Sequence, residues 1–268
     1  MFAIISDIHG NLEALQAVLA DIEARKIREI VCLGDVIGYG PNPRECLDLV
    51  IEKCRICMMG NHDHAVLFEP ANFNSAAEKA AYWTRIQLES DTDLAKRNRR
   101  WDFLGKLPVR RREGETLFVH ASPRRPINEY IFPEDVFTNP QKVLSNFERL
   151  DAKVCFVGHT HQPGVFLDDP YFDPPHELPD SPYYELDDER CIVNVGSVGQ
   201  PRDRDPRASY VLVYDDETSP AKNGTPRDYV IDQIEFVRLE YDVESTVKKI
   251  LAEPMLDDML GYRLYEGR

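Results

Sequence analysis

The chain has 268 residues and a net charge of −15, because its 47 acidic side chains outnumber its 32 basic ones. This excess of negative charge excludes a dedicated binder of nucleic-acid polymers and a protein drawn to anionic membrane surfaces, since both need a basic face. Its content of 43% hydrophobic and 29% charged residues is that of an ordinary globular protein. A chain of this length can bury one sizeable core, so length alone does not require a second domain.

Apolar runs predict five strands that each end at a polar motif, over residues 2–5, 30–33, 56–59, 116–119 and 154–157. Further strands are predicted over 109–112, 191–195, 209–214 and 233–241. Helices are predicted after the N-cap residue Asn11 and over 43–52, 75–88, 94–104, 140–150 and 243–251. We expect the helices over 75–88 and 94–104 to pair and to cover the mouth of any site that the motifs form.

Five polar motifs follow the first set of strands in chain order: Asp7-Ile8-His9, Gly34-Asp35, Gly60-Asn61-His62-Asp63, His120, and Gly158-His159-Thr160-His161. Side chains at the ends of neighbouring strands converge, and a rigid sheet fixes their geometry. Carboxylate, imidazole and amide ligands without a thiolate favour divalent Mn, Fe, Zn, Ni or Co. Asp35 is placed to bridge two such ions, and a pair about 3.5–4 Å apart is the usual clamp for displacement at phosphorus.

The motif set resembles the calcineurin-like metallophosphoesterase superfamily, whose pattern is D-x-H, G-D, G-N-H-D/E, H and G-H-x-H. The resemblance implies an α+β fold with α/β/β/α layers, in which two packed mixed sheets form a sandwich flanked by helices. We predict one such domain over residues 1–268. A leader peptide is not expected, because its removal would also remove Asp7, and a cytoplasmic location is the resulting prediction.

The resemblance also implies a role for each motif residue. Asp35 would bridge two divalent metal ions, and a water or hydroxide shared by the ions would be the nucleophile, because metal binding lowers the pKa of water toward ~7. His62 would donate a proton to the leaving-group oxygen or stabilise its charge, and Asp63 would orient the His62 ring. The first ion would be held by Asp7, His9 and His161, and the second by Asn61, His120 and His159.

The segment after Asp35 narrows the substrate. Protein phosphatases and symmetrical dinucleoside-tetraphosphate hydrolases carry an arginine there, whereas this chain reads Val-Ile-Gly-Tyr-Gly. This run and the segment over 194–202 resemble the small prokaryotic YfcE-like phosphodiesterases. The expected substrate is a small phosphodiester or phosphoanhydride, and phosphopeptides are expected to be poor substrates. Arg202, Arg124 and Tyr39 are candidate contacts to that substrate.

Three alternatives stay open. An asymmetrical dinucleoside-polyphosphate hydrolase or a nucleotide phosphatase would use the same motifs. A catalytically silent scaffold is disfavoured, because scaffold members of this fold usually lose metal ligands or the leaving-group histidine, and this chain keeps them all. Association of the chain with copies of itself also stays open.

Residues 168–190 form an unusual segment with nine acidic residues, one basic residue and five prolines. Proline and acid at this density exclude a buried helix. We interpret the segment as an insertion whose simplest form is a solvated surface loop. The alternative is a hairpin beside the site that acts as a flap or binds a partner, with aromatic residues for docking: Tyr171, Phe172, Tyr183 and Tyr184.

Overall fold

A computed structural model describes residues 1–186, 189–215 and 231–268. The strands in this part of the chain are β1 (Phe2–Ile5), β2 (Ile30–Cys32), β3 (Ile56–Cys57), β4 (Arg110–Glu113), β5 (Thr116–Val119), β6 (Val154–Val157), β7 (Gly164–Leu167), β8 (Tyr171–Asp173), β9 (Tyr183–Glu185), β10 (Cys191–Asn194), β11 (Ala208–Asp215) and β12 (Ile231–Leu239). The helices are α1 (Leu12–Ala24), α2 (Pro43–Lys53), α3 (Asn61–Leu67), α4 (Ser75–Glu89), α5 (Leu94–Leu104), α6 (Asp135–Thr138), α7 (Pro140–Phe147), α8 (Val243–Leu251) and α9 (Asp258–Tyr262). Short 3-10 turns lie at Pro175–Glu177 and Arg263–Tyr265.

The strands form two mixed sheets of six strands each. Sheet A has the order β3-β2-β1-β11-β12-β9, and sheet B has the order β4-β5-β6-β10-β7-β8. Within sheet A the motif-bearing strands β1, β2 and β3 are parallel, and within sheet B β5 pairs parallel to β6. Parallel strands end at the same edge, so the motifs that follow them are brought together.

Both faces of each sheet are buried, which explains the continuous apolar runs of the central strands. Phe2 in β1 meets Phe118 in β5 between the two sheets, with ring centroids 6.5 Å apart. Ile5, on the opposite face of β1, packs against Leu15 and other residues of α1. On the outer face of sheet B, strand β5 packs against Phe147 of α7. The layers are therefore helix, sheet, sheet and helix, and the predicted fold class is confirmed.

The acidic segment differs from the favoured interpretation of a solvated loop. Strand β8 extends sheet B at its edge beside β7, and β9 extends sheet A beside β12. Leu178 between them is buried in the core that the two sheets share. An ion pair between Asp168 and Arg190 closes the base of the segment. The insertion is therefore integrated into both sheets over its described part, while positions 187 and 188 lie outside the described residues.

The expected helical pair also lies elsewhere. Helix α4 packs beside α2 and α3, and its residues Ala80 and Trp83 join an apolar cluster with Tyr39 and with residues of α8 and α9. The opening at Asn61 is lined by the segment that precedes α4, around Phe73. No residue of α4 or α5, both of which lie within the described residues, lines this opening, so the pair does not cover it.

Candidate metal centre

The loops that leave the sheet hold the motif residues in an uncommon backbone conformation. Asp7, His9, Asp35, His159 and His161 all have positive φ angles, between 49° and 66°. A residue other than glycine adopts this region rarely and at a cost in free energy, and such residues concentrate at functional sites. Five of them in the predicted ligand set indicate a framework that holds side chains in fixed directions.

Two motif glycines are required by close approach between neighbouring loops. A Cβ atom on Gly60 would lie 2.0 Å from Oδ1 of Asp35, and one on Gly158 would lie 2.2 Å from Oδ2 of Asp7. Both distances are far shorter than a van der Waals contact. The glycines therefore let each carboxylate sit against the neighbouring strand end.

The residues predicted for the first ion lie together. The candidate ligand atoms of Asp7, His9 and His161 are all within 4.8 Å of one another. Nε2 of His161 is 3.1 Å from Oδ1 of Asp7 and 3.2 Å from Nε2 of His9. Nδ1 of His161 is hydrogen-bonded to the carbonyl of Gln200, which assigns the proton to Nδ1 and leaves the Nε2 lone pair facing the cluster.

The residues predicted for the second ion form an adjacent group. Nε2 of His120 lies 3.1 Å from Oδ1 of Asn61 and 3.1 Å from Nδ1 of His159. Nδ1 of His120 is 3.1 Å from the carbonyl of Leu33, so the same tautomer argument directs its Nε2 lone pair inward. Oδ2 of Asp35 is 3.5 Å from Nε2 of His120 and 3.7 Å from Nε2 of His9. Asp35 therefore stands between the two groups.

A divalent cation fits this arrangement. Asp7 and Asp35 are buried, and burial of an unpaired carboxylate is costly. Burial opposes ionisation of Asp7, but the neighbouring imidazoles, that of His161 foremost, outweigh it and hold the pKa of Asp7 well below its usual value. Burial and the charge of Asp7 raise the pKa of Asp35 well above its usual value. Negative charges that repel one another in this way are the environment in which a bound cation is stabilising.

The histidines support the same conclusion. Burial lowers the pKa of His120, lowers those of His9 and His159 strongly, and brings that of His161 to about 4. The imidazoles are therefore neutral, which is the form that binds metal. Oδ1 of Asp7 and Nε2 of His159 are buried without a hydrogen-bond partner in the described part of the chain. Converging lone pairs without donors are what a metal site presents.

His62 lies in the centre, but Asp63 does not orient it. The ligand atoms of His9, Asp35 and His62 lie within 4.8 Å of one another. The carboxylate of Asp63 instead accepts backbone N–H groups, from Asp35 at 2.7 Å, from Gly60 at 3.1 Å and from two further residues, Val36 and Ile37. The expected role of Asp63 is corrected: it fixes the loop after β2, because its oxygens are fully occupied by that loop.

Aromatic rings orient His62 in place of Asp63. Its imidazole lies 4.3 Å from the ring of Tyr39 and 4.6 Å from the ring of Phe73. A Cβ on Gly38 would lie 2.5 Å from its Nδ1, so the ring is packed closely on that side as well. Burial and the charge of Arg202 lower the pKa of His62 well below its usual value. A neutral imidazole keeps one N–H for hydrogen bonding.

The candidate substrate contacts divide into two groups. The backbone N–H of Arg202 donates to the carbonyl of His161 at 3.2 Å, and the guanidinium of Arg202 lies 5.9 Å from the ring centre of Tyr39. Tyr39 in turn is 4.8 Å from the His9 ring. Arg124 is exposed, and its guanidinium is bound to Glu129. Arg202 and Tyr39 are therefore beside the metal centre, whereas a phosphate contact by Arg124 would need its ion pair to open.

Several residues that position the site are not among the site residues predicted from the sequence. Nδ2 of Asn194 donates to the carbonyl of Gly158 at 2.8 Å, and the hydroxyl of Ser197 donates to the carbonyl of Asp7 at 2.8 Å. The segment from Asn194 to Gln200 thus ties two ligand-bearing loops together. Its unusual run of glycine and polar residues was a signal for this role. Tyr130, which stacks on His159 with ring centroids 3.8 Å apart, carried no signal of its own.

A model of the calcineurin-like phosphoesterase family matches residues 1–163. This chain belongs to that family. The uncharacterized protein MJ0912 from Methanocaldococcus jannaschii is 37% identical over 278 residues, which cover 100% of this chain and 98% of that protein. The crystal structure of a metallophosphoesterase from Sphaerobacter thermophilus is 36% identical and covers 100% of this chain and 98% of its own, with a TM-score of 0.77. The hypothetical protein PH1004 from Pyrococcus horikoshii, 20% identical over 100% of this chain and 98% of its own, shares the fold with a TM-score of 0.72.

The predicted family is thus confirmed, and a phosphoester hydrolase is the activity that the family supports in general. Among the described residues we find no helix with the length and hydrophobicity that crossing a bilayer requires.

Proposed function

We propose that the protein is a two-metal hydrolase of small phosphodiesters or phosphoanhydrides that acts in the cytoplasm. The observation that carries the proposal is the position of Asp35 between two buried ligand groups, with Oδ2 3.7 Å from His9 and 3.5 Å from His120. Asp35 in this position would hold both ions. Asp7, His9 and His161 would complete the ligands of one ion, and Asn61, His120 and His159 those of the other.

Two divalent ions at this place would polarise the phosphoryl oxygens and lower the pKa of a water to near ~7. The chain's own residues account for the rest. His62 would donate a hydrogen bond from its N–H to the leaving-group oxygen. This role agrees with its lowered pKa and with its burial between Tyr39 and Phe73. Arg202 would hold a phosphate oxygen that does not react, because its guanidinium stands at the edge of the centre.

The charge of the site favours diesters over monoesters. The loop after Asp35 offers glycines and Tyr39 where protein phosphatases carry an arginine, so Arg202 is the arginine we assign to the phosphate. A diester carries about one negative charge at phosphorus, and a monoester carries nearly two at neutral pH. The net charge of −15 also disfavours acidic phosphopeptides. These features agree with the resemblance of the run after Asp35 to that of the YfcE-like phosphodiesterases.

The test combines metal content with hydrolysis. Protein saturated with Mn should contain two equivalents by elemental analysis and should cleave bis-p-nitrophenyl phosphate at least as efficiently as p-nitrophenyl phosphate. Asp35→Asn should lower both the metal content and the rate, because one bridging oxygen is lost. A stoichiometry of zero or one with each of Mn, Fe, Zn, Ni and Co would contradict the proposal. Hydrolysis of phosphopeptides without diester hydrolysis would contradict it too.

A further inference from the structure

A cavity of about 500 Å³ opens beside the candidate metal centre, on the side of Asn61 and His159. It lies between the segment that precedes α4 and the segment from Arg125 to Tyr130. Its volume is in the range of pockets that take small organic ligands, ~300–1,000 Å³. Such a cavity is larger than a phosphate group needs, so it has room for an organic part of the substrate.

Two aromatic rings connect this cavity to the reacting centre. The Tyr130 ring stacks on the His159 ring at 3.8 Å with an interplanar angle of 19°. The Phe73 ring lies 4.6 Å from the ring of His62, the residue proposed to face the leaving group. The other face of Tyr130 is stacked on Phe132, with ring centroids 5.2 Å apart and an interplanar angle of 3°, so Tyr130 offers the cavity its ring edge, and the face available for stacking is that of Phe73. A planar group in the cavity would find an aromatic surface next to the leaving-group position.

Several polar side chains that line the cavity are exposed, and one of them is the carboxylate of Glu69, which accepts a hydrogen bond from Tyr82. The side chains of Asn72, Asn128 and Arg125 line it and have no hydrogen-bond or ion-pair partner within the described ranges. The neighbouring Arg124, by contrast, is bound to Glu129. An amide side chain both donates and accepts, which matches the adjacent donor and acceptor on the edge of a nucleobase.

We propose that this cavity binds the leaving group of the substrate and that the leaving group is a nucleoside. Its base would stack on Phe73, with its edge toward the amides of Asn72 and Asn128. In the reaction an oxygen from water bonds to phosphorus and the bond from phosphorus to the nucleoside 5′-oxygen breaks. That oxygen leaves with the electron pair and takes up a proton. The assignment rests on the proposed phosphodiesterase function and names its substrate class.

The test compares two diesters that lose the same alcohol oxygen. These are the methyl phosphodiester of adenosine 5′-phosphate and the methyl phosphodiester of ribose 5-phosphate, which differ only in the base. With the Mn-loaded protein we expect kcat/KM to be at least about tenfold higher for the adenosine diester, since stacking of a base on aromatic side chains has this effect or a larger one. The products should be adenosine and methyl phosphate.

Variants show which residues cause the preference for the adenosine diester. Phe73→Ala should lower the ratio of the two kcat/KM values by about tenfold, and Phe73→Tyr should preserve it. Asn128→Ala, at an exposed position, should lower it too and does not depend on the contact between Phe73 and His62. Tyr171→Ala, an exposed tyrosine on β8, is the control and should leave the ratio unchanged. The ratio is measured within one protein, so any loss of metal affinity cancels.

The outcomes separate this assignment from the function on which it rests. Equal kcat/KM values for the two diesters, or methanol as the main alcohol released, would overturn the nucleoside assignment while hydrolysis of bis-p-nitrophenyl phosphate still supports the phosphodiesterase. Failure to hydrolyse any of the three diesters would overturn both.

Discussion

Two cavities flank the candidate metal centre, and they differ in chemistry more than in size. The larger, about 690 Å³, lies between the acidic insertion and the segment from Arg202 to Arg207. The smaller, about 500 Å³, is the aromatic cavity beside Asn61 and His159. Size alone would direct the substrate to the first. The candidate ligands Asn61 and His159, which line the second, direct it there.

Two of the arginines that line the larger cavity are engaged with nearby carboxylates. Arg207 pairs with Asp205 at 2.7 Å, and Arg238 is bound to Asp203. A paired guanidinium has less to gain from a ligand, because the existing interaction must be broken first. Arg202 is different: its Nη2 donates to Gln200 at 2.8 Å, while its Nε is buried without a partner in the described structure. The smaller cavity, in contrast, is lined by the candidate ligands Asn61 and His159, so nearness to the metal centre, rather than volume, marks it as the binding surface for the leaving group.

The largest effect is expected from substitution of His62, which tests whether the leaving group departs on the side of the aromatic cavity. His62→Ala should lower kcat for the methyl diester of adenosine 5′-phosphate by ~10²–10³-fold, because a fixed N–H that stabilises the charge developing on a poor leaving group is lost. The loss should be smaller for bis-p-nitrophenyl phosphate, because nitrophenolate delocalises its charge and needs less stabilisation. Metal content, measured by elemental analysis, should stay near that of the unmodified protein.

The control for His62→Ala is the substitution of a histidine that lines the larger cavity. His176 is exposed and lines the larger cavity, so His176→Ala should leave kcat unchanged. Equal losses for good and poor leaving groups in His62→Ala would remove His62 from the leaving-group role. The aromatic cavity would then lose its connection to the departing oxygen.

A second prediction concerns the boundary between the two cavities. Arg202→Ala should lower kcat/KM for all three diesters by about 10- to 100-fold, since a charge-assisted hydrogen bond to phosphate is lost. Because the contact is to the phosphate, the loss should not depend on the base. Arg207→Ala removes an arginine of the same cavity that is already paired with Asp205, and kcat/KM should change by less than about twofold. Equal losses in the two variants would show a general electrostatic effect instead of a contact by Arg202.

Much of the fold could be predicted because the motifs report on local chain geometry. A buried strand followed at once by Asp7 or Asp35 indicates a strand end, and parallel strands bring such ends together. The fold class and the family followed from this pattern, and the predicted ligands do lie together in the structure. Strand bounds agreed within a few residues, as for β2 at Ile30–Cys32 against the predicted 30–33.

The remainder depends on contacts between distant segments. The role of Asp63 as a hydrogen-bond acceptor could not be predicted from its position next to His62 in the sequence. The backbone N–H groups of Asp35 and Val36, which donate to its carboxylate, belong to the loop after β2. The insertion was favoured as a loop because its composition is polar, yet pairing with β7 and β12 makes it part of both sheets. Phe73 and Tyr130 stand in polar segments without periodicity, so only the folded chain places them beside His62 and His159.

The smallest kinetic effect is expected at the aromatic residue of the larger cavity. Phe172 pairs in register with Phe166 across β7 and β8, and their rings are 4.6 Å apart. Phe172→Ala should lower the free energy of unfolding by about 2 kcal/mol, less than the ~3–5 kcal/mol of a fully buried phenylalanine, because Phe172 is half-buried. Urea denaturation measures this loss. The kcat/KM ratio of the adenosine and ribose diesters should stay unchanged, whereas Phe73→Ala should alter that ratio. A changed ratio in Phe172→Ala would place the leaving group in the larger cavity and reverse the comparison.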